Sequence, residues 1–557
     1  MNRDRQAASK RRGRRTDLKV RKEIDDLVSP DSNRSDLLIE YLHIIQDEYG
    51  CIDSKQIGAL ANLMKLSMSE VFEVATFYHH FTVVQDRSLD APKKPIKICD
   101  SITCELFGSE QLINDMKRKT ANADLSIQRV SCVGRCDRAP VAVYGQNAIE
   151  HASVEKIDKA IEYNLVEPNQ PKAISFQEYG NTNGYSIYKE CIEGLRSVEE
   201  IIKVLSRANL RGLGGAGFPT AKKWEIVRLQ TAPKVLVVNI DEGEPGTFKD
   251  RFFLEKDPHR FLEGMLIAAW AISADTCYIY LRDEYAGCRL TLQREIDLLV
   301  DNKTFFVPKI ELRRGAGAYI CGEESALLES LEGRRGMPRH RPPYIAEKGL
   351  FGKPTLAHNM ETLYWIREII EKSANWFASQ GKRGRKGLRS YSVSGRVKNP
   401  GVYIAPAGTT VKELIENYCG GMQEGHTFYG YFPGGASGGI LPASKADIPL
   451  DFDSLENTGC FIGSAAIIIL SSSDQAKNSA INAMKFFARE SCGQCTPCRV
   501  GTSKAVQLMS LQKWKISVLE DLATVMEDSS ICGLGQAASN PLRSVIRYFS
   551  KEIRDAR

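Results

Sequence analysis

Glu490-Ser491-Cys492-Gly493-Gln494-Cys495-Thr496-Pro497-Cys498-Arg499-Val500-Gly501 sets three cysteines at intervals of three. Three thiolates so spaced surround one small object, and a cubane exposes iron corners that such a turn can reach. A distant fourth thiolate closes the cage, and Cys532 lies downstream. Zinc more naturally takes cysteines as two plus two. A structural disulfide does not suit so crowded a set. The stretch therefore reads as a [4Fe–4S] site on Cys492, Cys495, Cys498 and Cys532, in a helical region spanning 474–557.

The chain has fifteen cysteines in 557 residues. An odd count in a long chain without a hydrophobic leader is not a disulfide framework. A second set is Cys99-x4-Cys104 with Cys132-x3-Cys136. Two close pairs suit a [2Fe–2S] cluster, each iron taking two sulfurs. A structural zinc ion accepts four cysteines too, and spacing alone leaves the two open. The other seven cysteines are scattered, and most read as small core residues.

The net charge is +6, yet residues 1–22 hold ten Lys or Arg against two Asp. The rest of the chain is thus slightly acidic. Residues 1–34 read as a basic, flexible arm. No aromatic residues interleave with its charges, which argues against nucleic-acid binding. No apolar run approaches the ~18–20 residues of a membrane span. The expected location is cytoplasmic.

Periodicity divides the remainder. Residues 35–90 read as a helical bundle, with Leu37, Leu38, Tyr41, Leu42 and Ile45 on one face and Ser69 capping a second helix. Residues 95–165 read as a small α/β domain with cysteines at strand ends. A Pro- and Gly-containing linker is expected over 166–185. A larger α/β unit follows over 186–380, then a strand-rich, Gly-rich domain over 388–470.

The larger unit carries three glycine-rich elements. Gly212-Leu213-Gly214-Gly215-Ala216-Gly217 matches G-x-G-x-x-G, but a helix over 197–209 precedes it, where a dinucleotide fingerprint needs a strand. Its bare backbone can still lie against a ring or a phosphate, with Phe218 as a flat face and Lys222 or Lys223 as a cation. The second element is Asn239-Ile240-Asp241-Glu242-Gly243-Glu244, at the end of a buried strand. Its three carboxylates reject phosphate but accept hydrogen bonds from ribitol, ribose or amide groups. The third is Gly315-Ala316-Gly317-Ala318-Tyr319-Ile320-Cys321-Gly322-Glu323-Glu324, opening a helix. Three such loops beside cluster cysteines argue for a bound redox cofactor.

At this point the residues resemble a family. Arg211 to Thr220, Asn239 to Arg251, Gly317 to Glu324 and Glu490 to Gly501 are similar to the NADH-oxidising flavoprotein subunit of respiratory complex I. That resemblance covers roughly 170–557. Residues 35–165 resemble the separate thioredoxin-like [2Fe–2S] subunit of that enzyme, fused in front, which favours iron–sulfur over zinc at the first set. The implied fold class is multidomain α/β and α: helical bundle, thioredoxin-like ferredoxin domain, α/β FMN-binding domain, ubiquitin-like (SLBB-type) β-grasp domain and helical [4Fe–4S] domain. The implied FMN shell is Gly212, Gly214, Gly215, Lys223, Asn239, Asp241, Tyr319, Gly322, Glu323, Asn359 and Thr362, with Glu242 beside it. Phe218, Glu244 and Glu324 resemble the NAD(H) contacts. Arg341 and Tyr344 stand where complex I subunits have Lys and Phe, and Leu213 replaces a common Arg. The connection to Cys532 is shorter than in complex I, with the shortening near a helix–helix turn at 511–515.

Fused chains of this kind occur in NAD-linked enzymes. Arg339-His340-Arg341-Pro342-Pro343-Tyr344, His358 to Tyr364 and Phe432 to Leu441 resemble the β subunit of NAD-dependent formate dehydrogenase. The diaphorase subunit of NAD-reducing hydrogenase is the near alternative, though its front domain often lacks a full cysteine set, and the NADH-oxidising module of complex I is the other. The resemblance implies a molybdenum- or tungsten-containing α subunit with further Fe–S clusters as partner. No acid–base residue is demanded, because the flavin itself carries the hydride. An electron-transfer module without nucleotide binding is the non-enzymatic alternative.

Overall fold

The computed structural model describes residues 16–28, 34–86, 94–120 and 125–554. They form two compact units, the first made of the described residues before 92 together with Ser330–Arg335.

The first unit is helical, with helices Leu18–Leu27, Leu38–Tyr49, Ser54–Leu63 and Met68–Phe77. Ile24 is fully buried, so the helix Leu18–Leu27 is packed and not part of a solvated arm. Residues 1–15 of that arm lie outside the described residues. Ser67, not Ser69, caps Met68–Phe77. The reason is reciprocal: Ser67 accepts from the Glu70 amide at 3.1 Å and Glu70 accepts from the Ser67 amide at 2.7 Å, closing a capping box. Tyr78 donates to the Arg334 carbonyl at 2.7 Å and ties in the segment Ser330–Arg335.

The second unit begins with a four-stranded sheet in the order Leu125–Val130, Lys94–Cys99, Ala142–Tyr144, Asn147–Ile149. The first pair is parallel and the others antiparallel. Ile96 and Ile98 pack on Leu112, Ile113 and Met116 of helix Ser109–Lys119 and on Ile157 of helix Val154–Glu162. This is the thioredoxin-like arrangement. Cys99 ends its central strand, and Cys132 follows the edge strand.

A second four-stranded sheet is wholly parallel, in the order Thr355–Asn359, Lys234–Ile240, Ala274–Leu281, Lys309–Arg314. Its central strands are nearly continuous apolar runs, as burial on both faces requires. Helix Pro258–Ile272 is buried along almost its whole length. Gly264 permits this: a Cβ there would run into the Leu363 carbonyl of the crossing helix Met360–Lys372.

The segment read as a linker is built into this unit. It contains helix Phe176–Asn181, and Tyr179 and Tyr185 are buried. Tyr179 donates to Glu263 Oε2 at 2.6 Å, and the Tyr185 hydroxyl pairs with His259 Nδ1 at 2.7 Å. Polar and Gly-rich composition hid two anchoring tyrosines.

Next comes a mixed five-stranded sheet in the order Gly401–Pro406, Leu388–Gly395, Ala466–Ser471, Phe428–Phe432, Leu441–Pro442. Leu388–Gly395 and Ala466–Ser471 run parallel to each other. Helices Ala476–Glu490, Thr496–Met509, Ile516–Ser529 and Asn540–Tyr548 complete the chain. The turn after Met509 falls where the shortened connection was expected.

Candidate functional site

All four strands of the parallel sheet deliver their C-terminal ends to one place. Lys234–Ile240 runs into Asp241 and Glu242, and Ala274–Leu281 into Arg282. Lys309–Arg314 leads into the loop ending at Gly322, and Thr355–Asn359 ends on Asn359. Ligands of open parallel sheets bind at such ends. A cleft of about 350 Å³ opens there, within the range of small-molecule sites (roughly 300–1,000 Å³).

The structure brings ten expected residues to its walls: Gly214, Gly215, Asn239, Asp241, Glu242, Glu244, Tyr319, Gly322, Glu323 and Asn359. The glycine wall is tight. A Cβ on Gly214 would stand 2.9 Å from Asn359 Cβ, and Gly215 has φ +130°. Asn239 donates to the Gly322 carbonyl at 2.9 Å and accepts from the Asp241 amide at 2.9 Å, fixing two loops against each other.

Other expected residues stand behind the cleft or at its mouth. Thr362 accepts from the Leu213 amide at 2.9 Å and pins the glycine loop from below. Gly212 donates to the Phe218 carbonyl at 2.8 Å and closes that loop. Phe218 is 43% exposed and Tyr344 is 55% exposed. Lys223 pairs with Glu324 at 3.1 Å, and Arg341 reaches Glu324 at 3.3 Å and also Glu323. The predicted phosphate cation and the predicted ribose carboxylate are thus joined to each other.

Residues that the sequence did not single out complete the cleft. Lys249 is 2% exposed and bridges Asp250 Oδ1 at 2.7 Å and Glu361 Oε2 at 3.2 Å. Burial alone would lower its pKa. The surrounding carboxylates of Asp250, Glu361 and Glu242 outweigh that and hold it charged. Asn359 accepts from Lys249 at 3.2 Å and donates to Asp250 at 2.7 Å. The β-grasp domain adds Ser437, Phe461, Gly463 and Ser464, and the C-terminal helices add Gly533, Leu534 and Ala537. Glu244 Oε1 accepts from the Ser437 amide at 2.8 Å and from its hydroxyl, and Oε2 accepts from Ser464 at 3.4 Å. Burial pushes Glu244 up to about 7, against those hydrogen bonds. The sequence signal for this second wall was the glycine density of 430–440.

The cleft fits a flavin mononucleotide. A side-chain-free wall suits a flat ring, the Asp241 carboxylate suits ribitol hydroxyls, and Lys223 stands near the mouth in helix Thr220–Arg228 as a cation.

The first cysteine set is buried throughout, with Cys99, Cys104, Cys132 and Cys136 at most 5% exposed. Cys132 and Cys136 sulfurs are 3.3 Å apart, and Cys104 and Cys132 lie near enough to Cys99 to push its thiol well above the usual value. Hydrogen bonds from Cys136 and Cys99 hold Cys132 well below the usual thiol value, aided by Arg282 and the Gly134 amide. Two adjoining pairs suit a two-iron cluster better than one zinc ion.

The Cys132–Cys136 loop is gripped by the flavin-binding part. Arg251 donates to the Gly134 carbonyl at 3.0 Å and to Asp137 at 2.6 Å. Arg282 donates to the Cys132 carbonyl at 2.6 Å and also to the Glu242 carbonyl. Tyr285 donates to Glu242 Oε2 at 2.8 Å, and a Cβ on Gly134 would overlap its hydroxyl.

In the second set Cys495 precedes helix Thr496–Met509 at its cap position, and Cys532 does the same for the short helix Gly533–Ala537. Burial pushes Cys498 up to about 12, with further push from Cys495, Cys532 and Cys492. All four thiols therefore share one locale. The amides of Gly535 and Leu534 point to Cys532, and a Cβ on Gly535 would stand 3.0 Å from Cys498 Cβ. The shortened connection has not displaced the fourth cysteine. No two of the fifteen cysteines form a disulfide, and the seven scattered ones are all buried.

Four stretches of the chain match known protein families. Residues 205–368 match the Nuo51 FMN-binding domain, 24–164 the thioredoxin-like [2Fe-2S] ferredoxin, 390–441 the SLBB domain, and 478–556 the NADH-ubiquinone oxidoreductase-F iron-sulfur binding region. The NADH-quinone oxidoreductase F 2 subunit of Rhizobium meliloti is 38% identical over 390 residues, 67% of this chain and 92% of that protein. The corresponding F subunit of Rickettsia felis is 42% identical over 373 residues, 64% of this chain and 88% of that protein. A crystal structure of a NAD+-reducing [NiFe]-hydrogenase in the H2-reduced state superposes with a TM-score of 0.83 at 29% identity, over 94% of each chain. The chain thus carries FMN, one [2Fe–2S] and one [4Fe–4S] cluster, with NADH as substrate. It belongs to the family of the NADH-quinone oxidoreductase F subunits, with a thioredoxin-like [2Fe–2S] domain fused ahead of the shared part.

Proposed function

We propose that this chain is the diaphorase subunit of an NAD-dependent formate dehydrogenase. In this reading a molybdenum- or tungsten-containing partner, with further Fe–S clusters, oxidises formate, and this chain delivers the electrons to NAD+. FMN, when bound, supplies the exchange between hydride and single electrons. Gly214, Gly215, Tyr319 and Gly322 shape the space for its ring. Asn239, Asp241, Glu242 and Asn359 orient its polar edge and tail, and Lys223 neutralises its phosphate. Phe218 offers the nucleotide a stacking face at the mouth, and Glu324 repels a 2′-phosphate. The reading carries a cytoplasmic location with it.

The observation that carries the finer assignment is the complete front set. Cys99, Cys104, Cys132 and Cys136 are all present and buried together, where hydrogenase diaphorase chains often lack one. The hydrogenase reading is kept because a chain of a NAD+-reducing hydrogenase matches this one over 94% of its length. Co-purification of the partner and assay of both substrates separates them. Formate-dependent NAD+ reduction without hydrogen uptake is the expected result, and hydrogen-dependent reduction alone would overturn it.

A further inference from the structure

One buried carboxylate joins three loops of the redox machinery. Glu490 ends helix Ala476–Glu490, two residues before Cys492, and is 5% exposed. Its Oε1 accepts from Ser131 Oγ at 2.6 Å, and its Oε2 accepts from the Tyr319 amide at 3.0 Å. Ser131 adjoins Cys132. Tyr319 opens the turn Tyr319–Gly322 and lines the flavin cleft.

The same helix reinforces both connections. Phe486 lies against the Tyr319 ring at 5.0 Å between centroids. Arg489 makes two 2.9 Å bonds to the Asp100 carboxylate, and Asn482 donates to the Asp100 carbonyl at 2.7 Å, beside Cys99. Both strand-end loops of the front domain therefore meet the helix that leads into the second cysteine set. Glu490 is the point where the two connections share one side chain.

We propose that Glu490 is a positioning residue that fixes the [2Fe–2S] loop and the flavin-cleft loop at set distances from the [4Fe–4S] loop. Each carboxylate oxygen takes one donor from a different loop, so the side chain acts as a two-ended spacer. Charge-assisted hydrogen bonds of this kind are short and directional. Electron exchange weakens steeply with separation, so a spacer between sites acts on transfer as well as on stability. The proposal rests on the three cofactors and not on which enzyme supplies the electrons.

The test uses the full chain with its partner and compares Glu490→Gln, Glu490→Ala and Ser131→Ala. A glutamine oxygen can accept from the Tyr319 amide while its NH2 donates to Ser131, so it keeps the spacing and drops the charge. The readouts are the EPR spectra of both clusters, the flavin midpoint and NADH–dye turnover. Glu490→Ala should shift the [2Fe–2S] spectrum and the flavin midpoint and lower turnover roughly tenfold, with the [4Fe–4S] signal kept. Glu490→Gln should restore both, and Ser131→Ala should move the [2Fe–2S] spectrum alone. An unshifted [2Fe–2S] spectrum and midpoint in Glu490→Ala would overturn the proposal. A Gln variant as impaired as Ala would overturn it too, since charge and not spacing would then matter. Should the Ala variant not fold, Ser131→Ala decides: a shift confined to the [2Fe–2S] spectrum supports the proposal, and no shift overturns it.

Discussion

Cys99, Cys104, Cys132 and Cys136 are nearly sealed from solvent, whereas Cys492, Cys495 and Cys532 are half-buried. The buried set belongs to a small front domain, yet Arg251, Arg282, Tyr285 and Glu490 from later in the chain hold its second loop. In the second set only Cys498 is buried, and two of its cysteines stand at the caps of their own helices. Hydrogen bonds to sulfur and solvent exposure both tune cluster potentials. The first site is therefore held by the flavin-binding part of the chain, while three cysteines of the second set stay partly exposed.

The sharpest way to break the contrast is Cys532→Ala. A site that needs all four thiolates should lose its [4Fe–4S] EPR signal entirely, while FMN fluorescence after extraction stays near the wild-type level. A fully retained signal would place the fourth ligand elsewhere. Arg282→Met comes next. It strips a buried cation from Glu284 and from two carbonyls, which costs about 3–5 kcal/mol by denaturant titration. A cost below ~1 kcal/mol would mean that the first site is not held from outside its domain.

Glu244 tests the wall shared with the β-grasp domain. Its folded pKa, raised to about 7, exceeds the ordinary 4.5. As pH climbs through that window the unfolded chain releases the proton and the folded chain keeps it, so stability falls. Glu244→Gln should remove that fall, on the order of 3 kcal/mol, in melting curves taken across pH 4.5 to 7. An unchanged slope would show that Glu244 titrates normally.

Gly134→Ala should cost about 1–3 kcal/mol, because φ is +68° and the new methyl meets the Tyr285 hydroxyl. Thermal unfolding checks it, and a neutral result would mean that the loop is loose. Glu324→Ala is the mildest, expected to relax the preference for NAD over NADP about tenfold. Equal kcat/KM ratios in variant and parent would remove Glu324 from nucleotide selection.

Much of this molecule was legible from local signals. The C-x2-C-x2-C run, the three glycine loops and the strand ending at Asn239 are contained within short windows, and residue type and spacing carry their chemistry. What escaped was long-range. Ser131 meets Glu490 across 359 positions and Ser437 meets Glu244 across 193, and no window spans either pair. Lys249 draws its role from Asp250 and from Glu361, 112 positions away, which no local window contains. The 166–185 stretch reads as a linker because its polar composition outvotes Tyr179 and Tyr185. The helix Leu18–Leu27 was obscured by the basic run in which it begins.

The most direct test of an NADH-linked flavin beside two clusters is to reduce the purified chain with NADH alone and follow flavin absorbance and EPR together. Flavin bleaching and two separable iron–sulfur signals, one [2Fe–2S] and one [4Fe–4S], are expected, with NADH–dye reductase activity. A chain with no flavin absorbance and no NADH–dye activity would contradict it.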